Sequence, residues 1–70
     1  MRHLDLRDLE PPEPFVAILT ALSEMASGEQ LEARLPRRPV YLLPVLAEQG
    51  IPYELDPAED GSWVLRLTKP

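Results

Sequence analysis

The sequence contains no cysteine. A chain without thiols cannot form disulfides, bind a metal through thiolates or use a cysteine nucleophile. It also has no apolar run approaching the roughly 18–20 residues that cross a membrane and no basic segment followed by an apolar one near residue 1. We therefore expect a soluble cytoplasmic protein with no membrane partner.

Basic residues are scarce. Seven lysines and arginines stand against 12 aspartates and glutamates, which gives a formal net charge of −5. Nucleic-acid phosphates are bound by clustered cations, so a nucleic-acid partner is not expected. The one basic cluster is Arg34, Arg37 and Arg38. It either binds a carboxylate or phosphate or simply carries solvated loop charges.

Prolines are abundant instead, with nine in 70 residues against a usual share of about 5%. They lie at the borders of predicted elements. A domain this short buries only about 60% of its unfolded surface, so its core is small. Each well-placed proline offsets part of that deficit, by roughly 0.4–1 kcal/mol, through the entropy of the unfolded chain.

The first half of the chain predicts a strand, a corner and a helix. Leu4 and Leu6 alternate with charged residues, which is typical of a strand with one buried face. Pro12 suits the first helical position, and Pro14 still lies in the first turn. Apolar residues then recur at steps of three and four, as on a helix: Phe15, Ile18, Leu19, Leu22 and Met25. Gly28 is the expected stop signal.

The next three elements follow the same logic. Residues 30–35 alternate apolar and polar side chains and predict a strand parallel to the first. A rigid loop is expected at residues 36–39. A second helix is predicted over residues 41–49, starting late enough to keep Pro44 in its first turn.

Residues 51–56 and 63–68 alternate again and predict a hairpin, with Pro52 favouring an edge strand. The order is βαβαββ in a single domain over residues 1–70. The expected fold is an α+β two-layer sandwich, with a mixed four-stranded sheet and both helices on one face. The open face is expected to carry the charged residues His3, Asp5, Arg7, Glu32, Arg34, Glu54, Asp56 and Arg66.

A motif spans the first corner. Its pattern, Leu-Asp-x-Arg-x-Leu-x-x-Pro-x-Pro, is formed by Leu4, Asp5, Arg7, Leu9, Pro12 and Pro14. With the βαβαββ order, it resembles the signature of the TusA/SirA sulfur-carrier proteins. That family has a cysteine just before Pro-x-Pro, where it carries a persulfide. Pro11 stands there in this sequence, and Asp8 stands where the family commonly has glycine.

The resemblance is closer to a cysteine-lacking branch of uncharacterised bacterial TusA-like domains. Gly28-Glu29-x-Leu31, the segment 39–43 and the late Trp63 also resemble that branch. The resemblance implies the fold. It does not imply sulfur transfer, because a chain without a thiol has no acceptor for the persulfide.

No arrangement of residues predicts catalysis. No serine has a histidine base at a suitable position, and no glycine-rich phosphate loop is present. We also expect so short a chain to have no room for a cleft of about 300 Å³. The protein is therefore not expected to be an enzyme or to carry a cofactor.

Tyr41, Tyr53 and Trp63 are expected to pack in the core or at its rim.

The function expected from these observations is a non-catalytic protein-interaction module, acting as a monomer or weak homodimer. Its contact surface is predicted at the corner and the basic loop: Arg7, Asp8, Glu10, Pro11, Pro12, Glu13, Pro14, Arg37 and Arg38. The corner could instead be a rigid helix cap with no partner. Two further functions fit the sequence: a binder of a small anion or of a metal with His3, and an accessory factor in sulfur transfer through a partner's cysteine.

Overall fold

A computed structural model describes residues 1–70, and it has the predicted element order. The strands are β1 (Arg2–Asp5), β2 (Gln30–Leu35), β3 (Tyr53–Pro57) and β4 (Trp63–Thr68), and the helices are α1 (Glu13–Glu24) and α2 (Leu42–Glu48). The sheet order is β1-β2-β4-β3. β1 and β2 are parallel, and the other pairs are antiparallel. The mixed sheet and the edge position of β3 are as predicted.

One face of the sheet carries the core. Leu31, Ala33 and Leu35 of β2 alternate with half-buried or exposed polar residues, as the period-two pattern predicted. Both helices add apolar side chains to this same cluster: Ile18, Ala21, Leu22, Leu42 and Leu46. Both therefore cover one face, and neither has the length and apolarity needed to span a membrane.

The end of α2 explains one difference from the sequence prediction. Ile51 was expected to begin a strand, but its N–H donates to the carbonyl of Leu46 at 2.9 Å. Gly50, with φ of 68°, donates to Ala47 at 3.1 Å. This pair of bonds closes a helix through a left-handed residue, usually glycine. Ile51 thus belongs to the helix cap, and β3 begins only at Tyr53.

β1 also ends earlier than its alternation predicts. Its pairing with β2 stops at Asp5, and Leu6 donates one more bond to the Arg34 carbonyl at 2.8 Å. Leu9 then donates to the Leu6 carbonyl at 3.2 Å, which turns the chain into the corner. Leu6 is still buried, so the side-chain pattern is correct although the strand is shorter.

Candidate functional site

An apolar groove of about 570 Å³ lies between the start of α1 and the loop that precedes α2. Its lining comes from two segments, residues 11–18 and 35–42: Pro11, Pro12, Pro14, Phe15, Ile18, Leu35, Pro36, Arg37, Arg38, Pro39, Val40, Tyr41 and Leu42. The expectation that the chain is too short for a cleft of about 300 Å³ was wrong. A groove open to the surface does not need a thick protein around it, because the walls are formed by chain segments that stand above the core.

The floor of the groove is part of the hydrophobic core. Ile18 of α1, Leu35 of β2 and Leu42 of α2 line it, and all three are buried. Because close-packed side chains hold one another in place, the floor has a fixed shape. The walls of the groove therefore stand on residues that also stabilise the fold.

The walls are made largely of proline. Pro11, Pro12 and Pro14 form one wall, and Pro36 and Pro39 belong to the other. The Pro11–Pro12 peptide bond is cis. Since the proline ring removes rotation about φ, both walls are stiff before any ligand arrives.

The same prolines leave the start of α1 poorly suited to bind anions. Pro12 caps the helix without a side-chain hydrogen bond, and neither it nor Pro14 has an N–H group. The Glu13 N–H is already bonded to the Glu10 carbonyl at 2.9 Å, and the Val16 N–H to the Pro12 carbonyl at 3.1 Å. The corner therefore contributes apolar surface to the groove rather than donors.

Tyr41 and Val40 form an exposed apolar rim. The Tyr41 side chain is 85% exposed and Val40 54%. Tyr41 and Tyr53 were expected to pack in the core or at its rim, and for both residues that expectation was wrong because both are exposed. The signal that could have found it is its phase, because Tyr41 lies off the stripe that Leu42 and Leu46 define on α2.

Two of the three clustered arginines reach the groove. Arg37 and Arg38 line it, and neither forms an ion pair. The Arg38 guanidinium carbon lies 5.5 Å from the centroid of the Trp63 ring, a cation–π contact. Arg34 belongs to β2, pairs in register with Asp5 and does not line the groove.

The charged residues of the corner do not line the groove: Arg7, Asp8, Glu10 and Glu13. Arg7 instead donates to Asp5, with Nε–Oδ1 at 2.8 Å and Nη2–Oδ2 at 2.7 Å, and reaches Asp60 Oδ2 at 3.3 Å. Asp60 also accepts from the Ser62 N–H at 3.0 Å. Arg7 thus ties the end of β1 to the turn between β3 and β4.

These bonds shift two carboxyl pKa values. Hydrogen bonds from Arg7 lower the pKa of Asp5 to about 2, and bonds from Ser62, then from Arg7, lower the pKa of Asp60 to about 2. A carboxyl pKa lowered by folding adds stability above its unfolded value of about 3.8, and this stability is lost as the pH falls through about 2.

We therefore expect the urea midpoint to fall between pH 4 and pH 2, and Arg7→Gln to reduce that fall. The reduction is partial, because Ser62 still bonds Asp60. Urea titrations across this pH range measure it. Arg37→Gln removes an arginine with no ion pair. Its urea midpoint should change with pH by the same slope as in the intact chain. An unchanged slope in Arg7→Gln would contradict the assignment.

The open face of the sheet holds a separate charge network. His3 Nδ1 lies 3.4 Å from Glu32 Oε2, and Arg66 Nε donates to Glu32 Oε1 at 2.8 Å. Asp56 completes the row at 3.5 Å from Arg66. No three His, Cys, Asp or Glu side chains lie together as potential metal ligands. The geometry thus gives His3 no ligand set to join.

Comparisons with known proteins agree with the fold. A family model described as "Uncharacterized conserved protein (DUF2249)" matches residues 3–69. The crystal structure of a SirA-like protein from Desulfitobacterium hafniense is similar with a TM-score of 0.83. The two chains are 17% identical, over 97% of this chain and 96% of that one. No curated protein matches this chain. The SirA-like fold implied by the resemblance is confirmed.

Proposed function

This chain belongs to the DUF2249 family of uncharacterized conserved proteins, and we propose that it is a non-catalytic module that binds another protein through its proline-walled groove. The proposal places it in the branch of the SirA-like fold that lacks a persulfide-carrying cysteine. It acts in the cytoplasm, as a monomer or weak homodimer.

The observation that carries the proposal is the meeting of two distant segments at one apolar groove. Residues 11–14 and 36–41 are separated by the remainder of α1 and by β2, yet their prolines form its opposite walls. Exposed apolar patches with a polar edge are typical of interaction sites. Stiff walls also reduce the ordering cost of binding, which favours affinity from a small contact area.

The lining chemistry supports binding over catalysis. Arg37, Arg38 and Tyr41 are its only ionisable residues. General acid–base catalysis near neutral pH requires a group such as histidine or a perturbed carboxyl within reach of the substrate. The groove lining contains no histidine, carboxylate, serine or lysine. A bound molecule would therefore be held but not given a proton donor or acceptor suited to neutral pH.

Site-specific photo-crosslinking tests this proposal. A benzophenone amino acid replaces Tyr41 at the rim in one variant and Tyr53, an exposed tyrosine on edge strand β3, in the matched control. We expect illumination of cells of the source organism to give discrete protein adducts at Tyr41 and few or none at Tyr53. Adducts equally frequent at both positions, or none at Tyr41, would argue against a protein partner at the groove.

A further inference from the structure

We infer that the groove receives a short peptide segment in which a large apolar residue neighbours carboxylates in the sequence. This inference rests on the proposed function and names the chemistry of its partner. The juxtaposition that supports it is an apolar floor, an exposed aromatic rim and two arginines without ion pairs, all lining one cavity.

The apolar half of the ligand follows from the shape of the groove. Phe15 and the wall prolines present hydrocarbon surface around an opening of about 570 Å³, above the buried Ile18 and Leu42. Such a volume lies within the 300–1,000 Å³ typical of small-ligand pockets and can hold a large side chain with its neighbours. Most of the energy of a protein contact comes from a few large anchors buried in pockets of this kind. Tyr41 at the rim can cover an anchor once it is seated.

The acidic half follows from charge complementarity. Arg2, Arg7 and Arg66 are each paired with carboxylates of the chain. Arg34, Arg37 and Arg38 have no such partner although acidic residues outnumber basic ones by 12 to seven, and of these three only Arg37 and Arg38 line the groove. The Arg38 guanidinium lies over the Trp63 ring, which competes for no hydrogen-bond donor that a carboxylate would use. A guanidinium group without an ion pair is well suited to bind a carboxylate, because it can donate two parallel hydrogen bonds to the two carboxylate oxygens.

The charges around the groove also determine where the acidic part of the ligand lies, and they favour a short ligand. Glu10 and Glu13 flank the proline wall at the start of α1, so the acidic end must lie on the opposite side, near Arg37 and Arg38. The net charge of −5 repels a large acidic domain. A short segment places its few carboxylates next to the two arginines, and salt screens them from the more distant acidic residues of the chain. It therefore experiences little of that repulsion.

A phage-displayed library of random heptapeptides is the probe. It is selected on the intact chain, on Arg37→Gln/Arg38→Gln, and on Arg34→Gln/Arg66→Gln, which loses the same charge from the open face. We expect peptides with a large apolar residue next to Asp or Glu on the intact chain and on the open-face variant. Arg37→Gln alone keeps the Arg38–Trp63 contact and should show an intermediate enrichment.

Affinities of the best selected peptide make the test quantitative. The groove double variant should bind it about tenfold or more weakly, and the open-face double variant within about twofold of the intact chain. Amide NMR shifts should lie at Phe15, Leu35 and Tyr41. Neutral or basic selected peptides, or equal weakening in both double variants, would overturn the inference.

The NMR measurement also tests two other occupants of the groove, a small apolar acid and a second copy of the chain. Groove shifts caused by octanoate or benzoate, with no selected peptide, would assign the site to a small apolar acid. Groove shifts that grow with protein concentration alone would assign it to a second copy of the chain. Either outcome overturns the peptide. If crosslinks form at Tyr41 while the library yields no acidic peptides, the proposed function stands and this inference fails.

Discussion

Replacing Leu46 with alanine is expected to lower the free energy of unfolding by about 2–5 kcal/mol. Leu46 is fully buried, and its carbonyl accepts the Ile51 N–H bond that closes α2. A 70-residue domain has a total stability of roughly 4–10 kcal/mol, so the loss is a large part of the whole. α2 has only seven residues and needs its packing to persist, because isolated helices of that length are unstable.

Urea denaturation followed by circular dichroism measures this effect. Val45→Ala is the matched control, because it shortens the neighbouring half-buried side chain and should cost about 1 kcal/mol. Leu46→Met, which keeps the volume, should cost less than about 1.5 kcal/mol. The groove should weaken together with the core, since Leu42 on the same helix lines it. A loss below about 1 kcal/mol in Leu46→Ala would mean that α2 adds little to the fold.

The fold could be predicted from the sequence because each element is marked locally. Apolar side chains at every second position of residues 4–6 and 31–35 select one buried face, and a shift by one residue would turn all of them outward. Proline and glycine then mark the borders, as at Pro12 before α1 and Gly50 after α2. Such local signals do not show when the backbone N–H or carbonyl of a residue forms a hydrogen bond with a neighbouring element. Ile51 has the side chain of a strand residue, but its N–H caps a helix.

The candidate site was predictable only in part. Pro11, Pro12, Pro14, Arg37 and Arg38 were predicted as contact residues, and the structure brings them to one groove. Their use in binding stays a prediction. The groove itself has no local signal, because its lining comes from segments that meet only after the sheet forms.

The charged residues of the predicted contact surface show the same limit. Asp8, Glu10 and Glu13 lie outside the groove lining, although they are neighbours of its prolines in sequence. Arg7 has partners at positions 5 and 60, and the second is 53 residues away in the chain. Sequence spacing cannot reveal such a contact. It shows that an arginine in a recognisable motif can tie two loops of its own chain together.

The variant Pro11→Cys is expected to accept sulfur where the intact chain accepts none. Pro11 is exposed at the groove, so a thiol there is open to reagents. Its thiolate attacks a sulfur atom of inorganic polysulfide, an S–S bond of the polysulfide breaks, and a shorter polysulfide leaves. Mass spectrometry should show one added sulfur atom per chain in Pro11→Cys. The intact chain should be unmodified, because a thioether does not take part in this exchange.

The reactivity of the introduced thiol shows whether the corner lacks only a cysteine or also lacks surroundings that activate one. Ala47→Cys on the exposed side of α2 is the matched control. Pro12 and Pro14 remove amide donors from the start of α1, and Glu10 and Glu13 add negative charge, so the corner should not lower a thiol pKa below about 8.5. We therefore expect alkylation of Pro11→Cys by iodoacetamide to be no faster than that of Ala47→Cys. An excess of about tenfold or more would show that the corner still activates a thiol. An equal or slower rate would mean that a cysteine at position 11 is not sufficient for sulfur carriage. The charges and hydrogen-bond donors around the corner would also have to change.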